Sequence, residues 1–284
     1  MNQITMLMYC TDQKGIIAAV TNFIHQNQGN ITYIDQYVDR PNEVFFMRVE
    51  CDLNAIDFNI QNFKDQFFTY LGNQFSLHFD FYLKNQKPKM AVFVSKYDHC
   101  LYDILAKQQS GELAAEIPFI LSNHNDLEII AKRFDIPFFH IPVTKETKPK
   151  AEAKQLELLE KNKVDFIVLA RYMQIISPLL IDQFKHKIIN IHHSFLPAFP
   201  GAKPYHSAFA RGVKIIGATS HYVTDELDAG PIIEQDITRV THLNSIADFI
   251  EKGKDLERIV LLRALKQHVN RKVMVYGNKT VVFS

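Results

Sequence analysis

Asn190 and His192 stand two residues apart in the run Ile188-Ile189-Asn190-Ile191-His192-His193-Ser194-Phe195-Leu196-Pro197. On an extended strand that spacing points both side chains to the same side. The amide can donate a hydrogen bond to a developing oxyanion, and the imidazole can give or take a proton near neutral pH. Further along, His221-Tyr222-Val223-Thr224-Asp225-Glu226-Leu227-Asp228-Ala229-Gly230-Pro231 sets three acids in four positions ahead of a Gly-Pro turn. A carboxylate such as Asp228, brought beside an imidazole, can orient the ring, raise its pKa or activate water. Taken singly, a strand-end histidine is more often a hydrogen-bonded structural residue, and an acidic run of this kind a solvated turn. His193, His206 and His221 are equally available histidines. What these residues license is a hydrolase or group-transfer site without metal, built from Asn, His and Asp.

No metal is expected, because clustered Cys/His ligands at the usual spacing are missing. Neighbouring strand residues such as His192 and His193 point to opposite faces and chelate poorly. Cys10, Cys51 and Cys100 are widely scattered. An odd number without a CxxC pair argues against a disulfide framework and a cysteine zinc site, and each reads as a small buried hydrophobe.

The elements that must position this chemistry fall on either side of Lys84-Asn85-Gln86-Lys87-Pro88-Lys89, a polar, basic stretch that reads as a linker. The expected domains are therefore 1–84, a linker at 85–89, and 90–284. Before the linker come a strand at Ile4–Cys10, a helix at Ile16–Asn27 and strands at Ile31–Val38 and Glu43–Cys51. A helix near Ile56–Leu71, with Ile56, Ile60, Phe63 and Phe67 on one face, and a strand near Leu77–Leu83 complete the order. That order, β-α-β-β-α-β, is the ferredoxin-like split unit. After the linker, short apolar runs at Met90–Ser95, Ile117–Ser122, Pro137–Ile141, Phe166–Ala170 and Ile188–His192 alternate with helix-length segments at Cys100–Gln109, Asn125–Phe134 and Lys150–Lys161. Such alternation predicts an α/β, Rossmann-like domain with a mostly parallel sheet, in which Ile188–His192 is expected to be the last buried strand. Ligands bind beyond the carboxyl ends of such strands.

The chain is long enough for about two domains at 284 residues, and 47% hydrophobic against 22% charged residues gives each a core. Thirty-two Lys+Arg against 31 Asp+Glu leave a formal charge of +1, which removes the electrostatic case for nucleic acid or a membrane surface as partner. No signal-peptide pattern and no bilayer-length apolar run is seen, so the chain reads as cytoplasmic.

Asn190–Gly201 (NIHHSFLPAFPG) followed by His221–Gln235 (HYVTDELDAGPIIEQ) resembles the signature pair of the folate-dependent formyltransferase family. Val168–Ser177 (VLARYMQIIS) resembles its folate-binding strand and loop. Within the family the resemblance is to the formyltetrahydrofolate deformylase branch, and it covers nearly the whole chain, from CTDQKGIIAAV at the start to the tail RIVLLRALKQHVNRKVMVYGNKTVVFS. The resemblance implies hydrolysis of N10-formyltetrahydrofolate to tetrahydrofolate and formate, with formate going to purine biosynthesis and one-carbon folate pools kept in balance. It implies Asn190, His192 and Asp228 as the catalytic trio. Asn190 and His192 would stabilise the oxyanion, Asp228 would position water and assist proton transfer, and His192 would shuttle a proton toward the folate nitrogen. Arg171, Met173, Gln174, Ile175 and Ile176, with Val223, Thr224, Asp225 and Glu226, would bind the folate. The folate is then substrate, and no tightly bound cofactor is expected.

The N-terminal region resembles an ACT domain, a ferredoxin-like module that often binds amino acids at a Gly-bearing turn. Asp12, Lys14, Gly15 and Ile16 occupy that turn here. The resemblance implies methionine and glycine as effectors, and a homo-oligomer. Two other functions compete. A formyltransferase to an amine such as glycinamide ribonucleotide would keep a Gly-rich phosphate loop after the first strand of the second domain. Ser95-Lys96-Tyr97-Asp98-His99-Cys100 stands there without a glycine and with an acid, which suits water as acceptor. A catalytically inert amino-acid sensor would have no reason to match at all three of Asn190, His192 and Asp228.

Overall fold

The computed structural model describes residues 2–53, 59–198 and 204–284. The chain divides into two compact units, Met1–Lys87 with Arg271–Met274 and Val281–Ser284, and Pro88–Asn270 with Val275–Thr280.

In the first unit the elements are β1 (Asn2–Thr11), α1 (Ile16–Gln26), β2 (Gly29–Asp39), β3 (Val44–Leu53), α2 (Ile60–Phe67), α3 (Asn73–Phe75) and β4 (His78–Leu83). The four strands form an antiparallel sheet in the order β2-β3-β1-β4. Alternation explains its buried face: Ile4, Met6, Met8 and Cys10 on β1, and Phe45, Met47, Val49 and Cys51 on β3, all enter the core. Against it lie Ile16, Val20, Phe23 and Ile24 of α1, at helical spacing. Phe23, Phe63, Phe67, Phe79 and Phe81 pack edge to face around them, with ring centroids 5.0 to 5.6 Å apart. The second helix starts at Ile60 because Asn59 caps it, its Oδ1 accepting from the N–H groups of Gln61 and Asn62. It does not run as one α-helix to Leu71, since a π-helical turn takes over at Phe68–Gly72. Ile56, expected on its buried face, lies outside the described residues.

The second unit holds β5 (Met90–Val94), α4 (His99–Gln109), β6 (Ile120–Ser122), α5 (Glu128–Arg133), β7 (Phe138–His140), α6 (Lys148–Lys161), β8 (Phe166–Leu169), α7 (Pro178–Gln183), β9 (Ile188–His192), α8 (Pro204–Arg211), β10 (Ile215–Tyr222), β11 (Ile232–Arg239) and α9 (Ile246–Val269). Its seven strands run in the order β11-β10-β9-β8-β5-β6-β7. β5 through β9 pair in parallel, and their runs are apolar at nearly every position because helices cover both faces. β9 is not the last buried strand: β10 follows it antiparallel, and β11 pairs antiparallel with β10. The chain order reverses between β5 and β8, which makes the crevice beyond their carboxyl ends the switch point of the sheet. β12 (Val273–Tyr276) and β13 (Lys279–Val282) form a separate two-stranded sheet. Among the described residues no helix is long and apolar enough to cross a membrane.

Candidate active site

Two strands and one turn build the site. β9 carries Asn190 and His192 on one side, as their spacing requires. The antiparallel register sets His221 of β10 opposite Asn190, and Thr219 opposite His192. A register shift at Ser220/His221, where β10 pairs with β11, re-aims the strand at this point. Beyond Tyr222 the chain turns back on itself, and the Tyr222 N–H donates to the Pro231 carbonyl at 2.9 Å. Gly230 allows that closure, since a Cβ there would lie 1.9 Å from the Tyr222 carbonyl oxygen. The turn holds Asp228 at φ 56°, a left-handed conformation that aspartate tolerates better than most residues.

The turn delivers the Asp228 carboxylate to two imidazoles. His192 Nδ1 lies 3.3 Å from Asp228 Oδ2, and His221 Nε2 lies 3.7 Å from Oδ1. His221 Nδ1 lies 2.9 Å from the Tyr222 carbonyl oxygen, and its Nε2 lies 3.2 Å from Asn190 Nδ2. Burial alone would raise the Asp228 pKa, but the contacts with His192 and His221 outweigh it and hold the carboxyl well below its ordinary range. His192 Nε2 is buried with no hydrogen-bond partner. An imidazole on the cavity wall whose Nδ1 is fixed by a carboxylate is oriented for proton exchange.

A cavity of about 280 Å³ opens in front of these groups. Asn190, His192 and Asp228 line it together with Arg171, Met173, Gln174, Ile175, Ile176, Val223, Thr224, Asp225 and Glu226. Met173, Ile175 and Leu227 leave large apolar surface exposed on its walls, at 47%, 63% and 64%, as expected where a flat apolar ring is to be received. The loop after β8 is pinned from behind: Ser95 Oγ accepts the Met173 N–H at 3.0 Å, and Glu152 of α6 accepts the Ser177 N–H at 3.1 Å. Of the histidines left open, His221 joins the cluster and His193 lines the cavity, whereas His206 is exposed on α8. The signal for His221 is the β9–β10 register, which no residue spacing within one strand reveals.

Behind the cavity wall lies a second polar cluster that sequence reasoning missed. Glu257 of α9 is buried and takes contacts from His99 Nε2 at 2.8 Å, Tyr205 OH at 2.7 Å and Arg171 Nε at 3.5 Å. Burial works against its charge, but these partners prevail and the Glu257 pKa falls below its ordinary value. His99, Cys100 and Glu257 are the one group among the described residues whose ligand atoms gather within 4.8 Å. The Arg171 guanidinium is the cation paired with the Glu257 carboxylate of that group. In the first unit, Gly15 adopts φ 95° at the start of α1. Asp12 and Lys14 are exposed there, whereas the Ile16 side chain belongs to the core and only its backbone faces the turn.

The formyl transferase family model matches residues 88–265, and the ACT domain model matches residues 4–55. A formyltetrahydrofolate deformylase of Synechocystis is 49% identical over 280 residues, 99% of this chain and 98% of the relative. The chain belongs to the formyltetrahydrofolate deformylase family. The deformylase of Bacillus subtilis is 44% identical over 98% of this chain and 93% of its own. The crystal structure of a formyltetrahydrofolate deformylase from Pseudomonas syringae superimposes with a TM-score of 0.97 at 44% identity, covering 100% of this chain and 95% of that one. This membership accounts for both sheets, the ferredoxin-like unit and the mostly parallel one.

Proposed function

We propose that the chain hydrolyses N10-formyltetrahydrofolate to tetrahydrofolate and formate, with Asn190, His192 and Asp228 as the catalytic groups. The observation that carries this reading is the cluster of Asn190, His192 and Asp228 on the wall of one cavity, with His192 Nδ1 3.3 Å from Asp228 Oδ2. The pterin lies against Met173, Gln174, Ile175 and Ile176 on one side and Val223, Thr224, Asp225 and Glu226 on the other. Asp228 fixes the His192 ring through Nδ1. A water oxygen attacks the formyl carbon while its proton passes to the His192 imidazole. The oxyanion takes the Asn190 N–H that is not given to His221. On collapse the bond from carbon to the folate nitrogen breaks, that nitrogen takes the proton from His192, and formic acid leaves, giving up its proton to solvent as formate. Preorganised donors of this kind need no reorganisation as charge develops. Deformylase is also the name that the relatives with full-length similarity bear.

The folate enters as substrate, and no resident cofactor has a role in these steps. The three cysteines are free and buried, which fits a reducing compartment such as the cytoplasm. The N-terminal unit we assign to regulation. Its exposed Asp12 and Lys14 and the backbone at Gly15 form the turn where methionine or glycine would bind, in a homo-oligomer. The purified chain, incubated with N10-formyltetrahydrofolate and no amine, is expected to release formate and tetrahydrofolate in equal amounts. Consumption of substrate only when an amine acceptor is added would replace hydrolysis by transfer.

A further inference from the structure

Open α/β sheets take their ligands in the crevice beyond the carboxyl ends of the strands at the switch point. Here that crevice lies between β5 and β8. The residue that follows β8 and Ala170 is Arg171, buried to 9% side-chain exposure. Tyr97, in the loop after β5, covers it, with the guanidinium carbon 4.9 Å from the ring centroid. Glu257 grips it from α9, held in turn by His99 and Tyr205. The crevice where this fold admits a ligand is filled by side chains of the chain itself.

Three features show that the filling is built in. Arg171 sits at φ 62°, a backbone conformation where glycine is the default. Gly253 of α9 admits the Tyr205 ring, whose atoms lie 2.1 to 2.5 Å from where a Cβ would stand. A buried ion pair is also a weak source of stability compared with apolar packing of the same volume, so its retention calls for another reason. Arg171 also lines the catalytic cavity beside His193 and Asn190. A formyl acceptor larger than water, such as a neutral amine, would have to displace this guanidinium to enter by that crevice.

We propose that Arg171, ion-paired with a Glu257 that His99 and Tyr205 hold in place, and roofed by Tyr97, occupies the acceptor crevice and is the specificity-determining residue that makes water the sole formyl acceptor. The inference rests on the hydrolytic reading above. With the crevice opened, an amine nitrogen attacks the formyl carbon, loses a proton to His192, and the folate nitrogen leaves with that proton. The products are then a formamide and tetrahydrofolate.

The test uses the full chain, N10-formyltetrahydrofolate and glycinamide as the amine probe, with formate and formylglycinamide measured together. The ratio of the two products is independent of any overall loss of rate. Arg171→Gly combined with Glu257→Gln removes both charges of the pair, so neither is left buried alone, and glycine suits the backbone at 171. Tyr97→Ala is a second variant that keeps the ion pair and thins the roof. Wild type is expected to form no formylglycinamide above the assay background, the double variant about tenfold or more above that background, and Tyr97→Ala less than the double variant, since pocket contacts discriminate on that scale. A share equal to wild type in whichever variants fold and turn over overturns the proposal, as does a wild type that already formylates glycinamide. A wild type that releases no formate at all sinks the hydrolytic reading instead, and the inference with it.

Discussion

At neutral pH a carboxyl held well below its ordinary pKa is a weak proton acceptor, because general-base efficiency favours a pKa near the ambient pH. Asp228 is held in this way by His192 and His221. On the proposed mechanism its contribution is a fixed negative charge that orients the His192 ring through Nδ1, and the imidazole carries the proton. Asp228→Asn keeps the volume and a hydrogen-bonding group but removes that charge. An amide can also donate, which favours the wrong imidazole tautomer. We expect kcat to fall by about 10²–10⁴-fold, the usual worth of positioned acid–base groups, with KM little changed. Asp225→Asn, on the same turn but with no imidazole contact among the described hydrogen bonds and ion pairs, should cost far less. Equal losses of kcat in the two variants would show that general acidity of the turn, not the Asp228–His192 pair, sustains the reaction.

At the level of elements, α9 combines a stability role with a site role. Its buried stripe includes Phe249, Leu256, Val260, Leu261 and Leu265, and Glu257 is the one acid within it. Since the Glu257 pKa is lowered by folding, its stabilising charge is fully present above the ordinary carboxylate range and is lost as pH falls through the folded value. Glu257→Gln should destabilise by about 3 kcal/mol at pH 7 by leaving Arg171 without its counter-charge. The gap in Tm between wild type and variant should stay constant from pH 7 to about 5 and narrow below about pH 4, where wild type loses the same charge. A gap that widens toward acid would mean that Glu257 is not ionised in the folded chain. This acid is also where sequence reading stopped short. Period-two and fully apolar runs made β1, β3, β5, β8 and β9 legible, and with them the Asn190–His192 pair. β10 escaped because its buried positions include Thr219 and Ser220, which are satisfied by hydrogen bonds rather than by being apolar. Glu257 and His221 escaped because their partners come from distant elements, and only pairing and packing bring those together.

Over the whole molecule, the groups assigned to catalysis and those assigned to regulation lie in different compact units. Asn190, His192, Asp228 and the cavity lining all fall within the second, and the Gly15 turn falls within the first. The C-terminal tail is shared by sequence: Arg271–Met274 and Val281–Ser284 count with the first unit, Val275–Thr280 with the second. Within the first unit, Arg48 Nε donates to the Arg271 carbonyl at 2.9 Å and Tyr33 OH donates to the Ser284 carbonyl at 2.8 Å. Within the second, Asn278 Nδ2 donates to the carbonyl of Ala229, the residue after Asp228, at 2.9 Å. A chain beginning at Pro88 therefore retains every catalytic group but strips both ends of the tail of these partners, and the tail in turn braces the Asp228 turn. We expect such a chain to release formate from N10-formyltetrahydrofolate with a lower kcat than the full chain, and to lose any response to methionine or glycine. The measurement is formate release from both chains, titrated with each amino acid. A shortened chain that answers either amino acid as the full chain does would place the effector site in the second unit and remove the regulatory role assigned to the first.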